Sequence, residues 1–123
     1  MNKFFGSGRL AKEPECRYTQ SGKAVCTFTL AISEGYGDKA RTTFLPVIVW
    51  DKMGEACANN LVKGQSVVVE GRVSVRDYEK DGSKHYVTEI VAQSVEFGAK
   101  PKGHKEPLGS EFGETINDED IPF

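Results

Sequence analysis

The 123-residue chain carries 16 Lys and Arg against 18 Asp and Glu, a net charge of −2, and 38% of it is apolar, with 7 Phe, 4 Tyr and one Trp. That supplies one compact domain and is too little for two, and a balance this close to neutral gives no support of its own to a nucleic-acid or membrane partner. The longest apolar runs are about five residues against the roughly 20 that cross a bilayer, and the amino end has no signal-like apolar segment, so a cytoplasmic location is expected.

Residues 3–10, with Gly6 and Gly8 among them, read as a first strand. Val25, Thr27, Thr29, Ala31 and Ser33 then alternate with Cys26, Phe28, Leu30 and Ile32, the period of two that marks a strand with one face in a core. Residues 44–50 form the third strand, and Pro46 points to an edge or a bulge near its start. Asp51 stands as an N-cap, Met53, Ala56, Cys57, Asn60 and Leu61 recur at helical spacing, and Gly64 follows as a stop, which predicts the one helix. The valine-rich stretch 66–77 is a long strand bent at Gly71, Asp81-Gly82 forms a hairpin tip, and residues 86–97 return as the fifth strand. The expected class is therefore all-β: a five-stranded Greek-key OB-fold barrel with one short helix between strands 3 and 4.

Cys16, Cys26 and Cys57 are odd in number and lack a CxxC spacing. They predict neither a disulfide scaffold nor a zinc site and read as small buried apolar side chains. From Ala99 the apolar periodicity stops, so the domain is expected to span 1–98, followed by a flexible, disordered linker over 99–116 and a distinct tip over 117–123. The charge follows this division: 14 Lys and Arg face 12 Asp and Glu in residues 1–100, and 2 face 6 in residues 101–123.

An ordered set of short segments carries a specific likeness. Met1-Asn2-Lys3, Gly8-Arg9-Leu10, Pro14-Glu15-Cys16-Arg17-Tyr18, Ser21-Gly22-Lys23-Ala24-Val25, Lys63-Gly64-Gln65, Val69-Glu70-Gly71-Arg72, Tyr86-Val87-Thr88-Glu89-Ile90-Val91 and the ending Asp118-Glu119-Asp120-Ile121-Pro122-Phe123 together resemble the bacterial single-stranded DNA-binding proteins over essentially the whole chain. The resemblance implies an OB domain, usually a homotetramer, that wraps single-stranded DNA during replication, recombination and repair. It also implies recruitment of replication and repair enzymes through the tail. Carried over by position, the base-stacking aromatics fall on Tyr36, Phe44, Trp50 and Tyr78. The sequence departs from the family at Phe4-Phe5-Gly6-Ser7, where a β-branched or Leu-rich run is usual, and at Asp77, where a basic residue is common.

Sequence-independent binding of a single strand needs cations for the phosphates and flat aromatic faces for any base. Arg9, Lys12, Arg17, Lys39, Arg41, Lys52, Lys63, Arg72 and Arg76 are the candidate phosphate contacts, with Lys23 also in the barrel, and several adjoin the aromatics. Tyr36 is flanked by Gly35, Gly37 and Asp38 and is expected in a loop; Phe44 and Trp50 sit in strand-like runs and by local pattern alone would be core. In the tip, Ile121, Pro122 and Phe123 place apolar groups and a carboxylate after the acids Asp118, Glu119 and Asp120, which suits a basic-rimmed apolar pocket on a partner. The same acids could compete with DNA for the chain's own binding face.

Two other readings are weaker. Gly6-Ser7-Gly8-Arg9-Leu10-Ala11 fits a GxGxxA dinucleotide fingerprint, but Pro14 and the residues after it stand where the helix should run. His85 and His104 have neither a nucleophile nor metal-ligand spacing beside them, so no catalytic residue, metal or cofactor is expected. An OB module for RNA or for proteins would share the barrel but has no evident use for the acidic ending.

Overall fold

The structure is a computed structural model that describes residues 1–101. Its strands are β1 (Phe4–Leu10), β2 (Glu15–Tyr18), β3 (Ala24–Glu34), β4 (Arg41–Trp50), β5 (Ser66–Lys80) and β6 (Ser83–Phe97); helix α1 (Asp51–Asn60) links β4 to β5. They form one sheet in the order β1-β5-β6-β4-β3-β2, and β1 pairs with β3 as well as with β5. The sheet thereby closes on itself, and an OB fold is the result. The closing contact between β4 and β6 is parallel, at Val47↔Ile90 and Ile48↔Val91; the other pairs are antiparallel.

The period-two pattern of β3 sets its inner face, where Cys26, Phe28 and Leu30 are buried with Val47 and Val49 of β4, Ile90 and Val95 of β6, Val67 and Val69 of β5 and Leu10 of β1, but Val25 and Thr27 of its other face are buried as well. Helix α1 closes one end of this core with Cys57, and Leu61 just beyond the helix joins it. Pro46 lies inside β4, opposite Thr29 of β3, in the half of the strand that the β6 pairing at Val47 and Ile48 does not reach.

Three local expectations are revised. There are six strands rather than five: Glu15–Tyr18 adds to the edge of β3, four residues too short to show a pattern. Asp51 is not the N-cap but the first residue of α1, at φ 57, after Trp50, which makes no side-chain capping bond. Aspartate tolerates this left-handed conformation better than most residues, and it turns the chain sharply from β4 into the helix. Gly64 lies beyond the helix end at Asn60, in the turn that enters β5, where its N–H bonds the Leu10 carbonyl.

The cysteines also differ from expectation. Cys16 and Cys26 sit directly opposite each other on β2 and β3, with Cα atoms 4.0 Å apart, and are joined by a disulfide. Only Cys57 is the buried free thiol that the composition suggested, and burial pushes its pKa up to about 12.

The bend in β5 is where the sequence placed it. A register shift falls between Glu70 and Gly71, and a Cβ on Gly71 would lie 2.2 Å from the Val91 carbonyl oxygen, so only glycine admits this approach of β5 to β6. Beyond it the two strands run on as a hairpin, closed by Asp81 and Gly82 with φ of 54° and 77°, the two-residue turn whose twist matches the strands. Gln65 ties the base together: it is 2% exposed, its Oε1 accepts from the Val62 N–H at 3.1 Å, and its Nε2 donates to the Gly98 carbonyl at 3.2 Å.

Candidate nucleic-acid interface

Residues opposed in a ladder project from the same face, and alternate residues of one strand do likewise. On β4 the outward set is Phe44, Pro46, Ile48 and Trp50, because Leu45, Val47 and Val49 point into the core. Ile48 lies beside Val91 of β6, and Val91 opposes Arg72 of β5. The same parity then carries Arg76 and Tyr78 outward on β5 and His85 outward on β6. Toward the other edge, Trp50 opposes Val25, which opposes Arg17 of β2, and Phe44 opposes Ala31, which opposes Arg9 of β1. The outer side of the barrel therefore carries Phe44, Trp50 and Tyr78 together with Arg9, Arg17, Arg72 and Arg76, drawn from four strands.

The aromatics on it are not absorbed by the core. Phe44 is 61% exposed and Tyr78 is 46% exposed, while Trp50 is half-buried at the end of β4. The default of a strand aromatic being core is thus overturned for Phe44. Tyr36 is 92% exposed and precedes a short 3-10 turn, Gly37–Lys39, in the β3–β4 connection, as the flanking glycines suggested. Tyr78 stacks on His85, with ring centroids 5.4 Å apart and planes at 22°. Sequence reasoning passed over His85, although the two-residue turn at Asp81-Gly82 sets 78 opposite 85.

The cations divide into two groups. Arg72 is exposed and has no ion-pair partner among the described residues, whereas Arg76 lies 3.3 Å from the carboxylate of Glu89. Glu89 is 5% exposed, and burial holds its pKa above the ordinary 4.5 against the opposing pull of Arg76. Arg9 donates to the Gly64 carbonyl at 3.0 Å. Lys39 and Arg41 stay with the Tyr36 loop and the start of β4; Lys12, Lys52 and Lys63 are exposed on loops and the first turn of α1, outside the rows of the face. Asp77, adjacent to Tyr78 in sequence, projects from the opposite face and pairs with Lys84 at 3.2 Å, so its charge is directed away from the Tyr78 ring.

Continuous with the Arg9–Ala31–Phe44 row, a groove of about 490 Å³ is lined by Ser7, Arg9, Ala31, Ser33, Ser66 and Phe97. No cluster of metal-ligating side chains occurs among the described residues. Glycines 6 and 8 lie within β1, which runs through them as a strand, so the dinucleotide fingerprint lacks its turn and helix. Residues 102–116 of the linker and the tip Asp118, Glu119, Asp120, Ile121, Pro122 and Phe123 lie outside the described residues. On the reverse face of the hairpin Val75 is 59% exposed and Tyr86 68%, and on β1 Phe5 is 68% exposed while Phe4 packs against the core.

Residues 1–98 match the model of the Single-strand binding protein family. A single-stranded DNA-binding protein of Caldanaerobacter subterraneus subsp. tengcongensis is 39% identical over 99% of this chain and 88% of its own length. Single-stranded DNA-binding protein 3 of Listeria innocua is 49% identical over 79% of this chain and 63% of its own length. Among solved structures, the Plasmodium falciparum SSB complex with ssDNA superposes with a TM-score of 0.73 at 27% identity, covering 79% of this chain and 94% of that one.

Proposed function

From the premise that this chain belongs to the single-strand binding protein family, and so is a binding protein and not an enzyme, we propose that it binds single-stranded DNA without reading the bases. Bases stack on Phe44, Trp50, Tyr78 and Tyr36, and phosphates meet Arg9, Arg17, Arg72 and Arg76 on the same face, with Lys12, Lys39, Arg41, Lys52 and Lys63 on the flanks. The observation that supports this most is the shared parity of Phe44, Trp50 and Tyr78, exposed or half-buried on one surface with four arginines. Every base offers a π-face, so such a surface holds any sequence.

The protein protects single strands during replication, recombination and repair in the cytoplasm, as a homo-oligomer, with a tetramer the expected state. Exposed Phe5, Val75 and Tyr86 give apolar area for contacts between copies. Residues 118–123 recruit replication and repair enzymes, Asp118, Glu119 and Asp120 meeting a basic rim and Ile121, Pro122 and Phe123 an apolar pocket.

The test uses the single tryptophan. Titration with oligo(dT), with duplex DNA of equal length as control, is expected to quench Trp50 fluorescence with the single strand alone, and more weakly as salt rises. Absence of single-strand binding at low salt overturns the assignment. Removing residues 118–123 is expected to abolish partner capture while strengthening DNA binding at low salt; unchanged capture overturns the role of the tip.

A further inference from the structure

We infer that the Cys16–Cys26 bond is a reversible thiol–disulfide switch that sets how firmly β2, and with it Arg17, is held beside Trp50. The inference rests on the DNA-binding reading for its consequence, though not for its chemistry. The two cysteines form a register pair with Cα atoms 4.0 Å apart, and the next row of the same ladders is Arg17, Val25 and Trp50. β2 is four residues long, lies at the end of the strand order, and pairs with β3 alone. A crosslink in its middle is therefore the covalent part of what holds Arg17 on the binding face.

The pair is built for exchange in one direction of attack. Cys26 is 0% exposed, whereas Cys16 packs against the core from the edge strand and is half-buried, so of the two sulfurs the Cys16 sulfur is the one an incoming thiolate meets when β2 frays. A small-molecule thiol of the glutathione class attacks there as its thiolate; the Cys16–Cys26 bond breaks, a mixed disulfide forms at Cys16, and Cys26 leaves as a thiolate and takes up a proton. A second thiolate attacks the mixed disulfide, releasing Cys16, which is protonated in turn, and a small-molecule disulfide. The two electrons that reduce the protein come from the two small thiols, and the reverse sequence reoxidises it. The third cysteine takes no part, because Cys57 is 0% exposed and is kept as a thiol by burial.

The compartments in which cells handle single-stranded DNA keep thiols reduced, and a disulfide in such a setting is characteristically transient and redox-sensing. In the reduced protein, β2 keeps its ladder to β3 but loses its covalent closure, so the hairpin of residues 17–25 opens more often and Arg17 spends less time in the Trp50 row.

The full chain equilibrated in reduced or in oxidised glutathione is weighed intact after acid quenching, digested briefly with trypsin, and titrated with oligo(dT) through Trp50 fluorescence. The reduced form is expected to gain the mass of two hydrogens, to be cut several-fold faster after Arg17 and Lys23, and to bind oligo(dT) several-fold more weakly. The double variant Cys16→Ser, Cys26→Ser is expected to behave like the reduced protein in both buffers. Should that variant fail to fold, the wild-type comparison between buffers decides alone. A mass that glutathione leaves unchanged, or equal cleavage of the two forms, overturns the switch. Equal affinity with unequal cleavage overturns its coupling to DNA, and no binding by either form overturns the DNA-binding reading while cleavage still decides the switch.

Discussion

Replacing Tyr78 by alanine separates binding from stability with unusual clarity. The ring is 46% exposed at the far end of the β5–β6 hairpin, where each strand pairs only with the other, and its neighbour across the ladder is His85, stacked at 5.4 Å. Losing one such cross-strand contact costs about 0.2–1 kcal/mol of stability. Losing a stacked base costs about 1–3 kcal/mol of binding, roughly 5- to 150-fold in Kd. Thermal unfolding of Tyr78→Ala should therefore stay close to that of the parent while oligo(dT) affinity falls by at least several-fold. Tyr78→Phe, which keeps the ring, should retain the affinity. Because no charge is removed, the slope of log affinity against log salt should not change. The readout is Trp50 fluorescence at several salt concentrations. Unchanged affinity in Tyr78→Ala, with the fold intact, refutes the stacking role.

Arg72→Ala should weaken oligo(dT) binding and reduce the magnitude of the salt slope by about 0.7, the signature of one phosphate contact; an unchanged slope in the same titrations removes Arg72 from the site. Gln65→Ala orphans the buried Val62 N–H and leaves the Gly98 carbonyl to solvent, and should cost about 1–3 kcal/mol in denaturant unfolding with little effect on DNA affinity per folded molecule. Glu89 is held above its ordinary 4.5 in the folded protein, first by burial, so the folded state keeps its proton more tightly than the unfolded chain. Stability should then fall as pH rises from 4.5 through the raised value, and Glu89→Gln should flatten that fall in thermal midpoints measured across the window.

Much of the barrel was legible because its signals are local. The alternation of residues 25–33, the valine run bent at Gly71 and the Asp81-Gly82 turn each dictate a conformation within a few residues, and each is present in the structure. The exposure of Phe44 was not legible, because its run in β4 has the composition of a core strand. What turns it outward is the parity inherited from Val47 and Val49, which follows only once the barrel is assembled. Adjacency in the chain is no guide to the face for the same reason: Asp77 and Tyr78 are neighbours in the chain and lie on opposite faces of the hairpin.

The two hairpins show where such inference stops. A two-residue turn fixes the register of its strands, so Asp81-Gly82 alone determines that Tyr78 meets His85 and that Arg76 meets Val87. The pairing of Tyr78 with His85 was thus available from sequence and needed only the register to be written out. The loop between β2 and β3 is longer, residues 19–23, and a loop of that length permits several registers. Its register is settled by burial and by a bond inside the loop: the Thr19 side chain, 1% exposed, accepts from the Lys23 N–H at 3.1 Å, and Glu15 and Cys16 pair with Thr27 and Cys26. A slip of one residue would have put Cys16 on the outer face and Arg17 in the core, so the burial that excludes Arg17 from the interior is the same force that brings the two sulfurs together and sets the arginine beside Trp50.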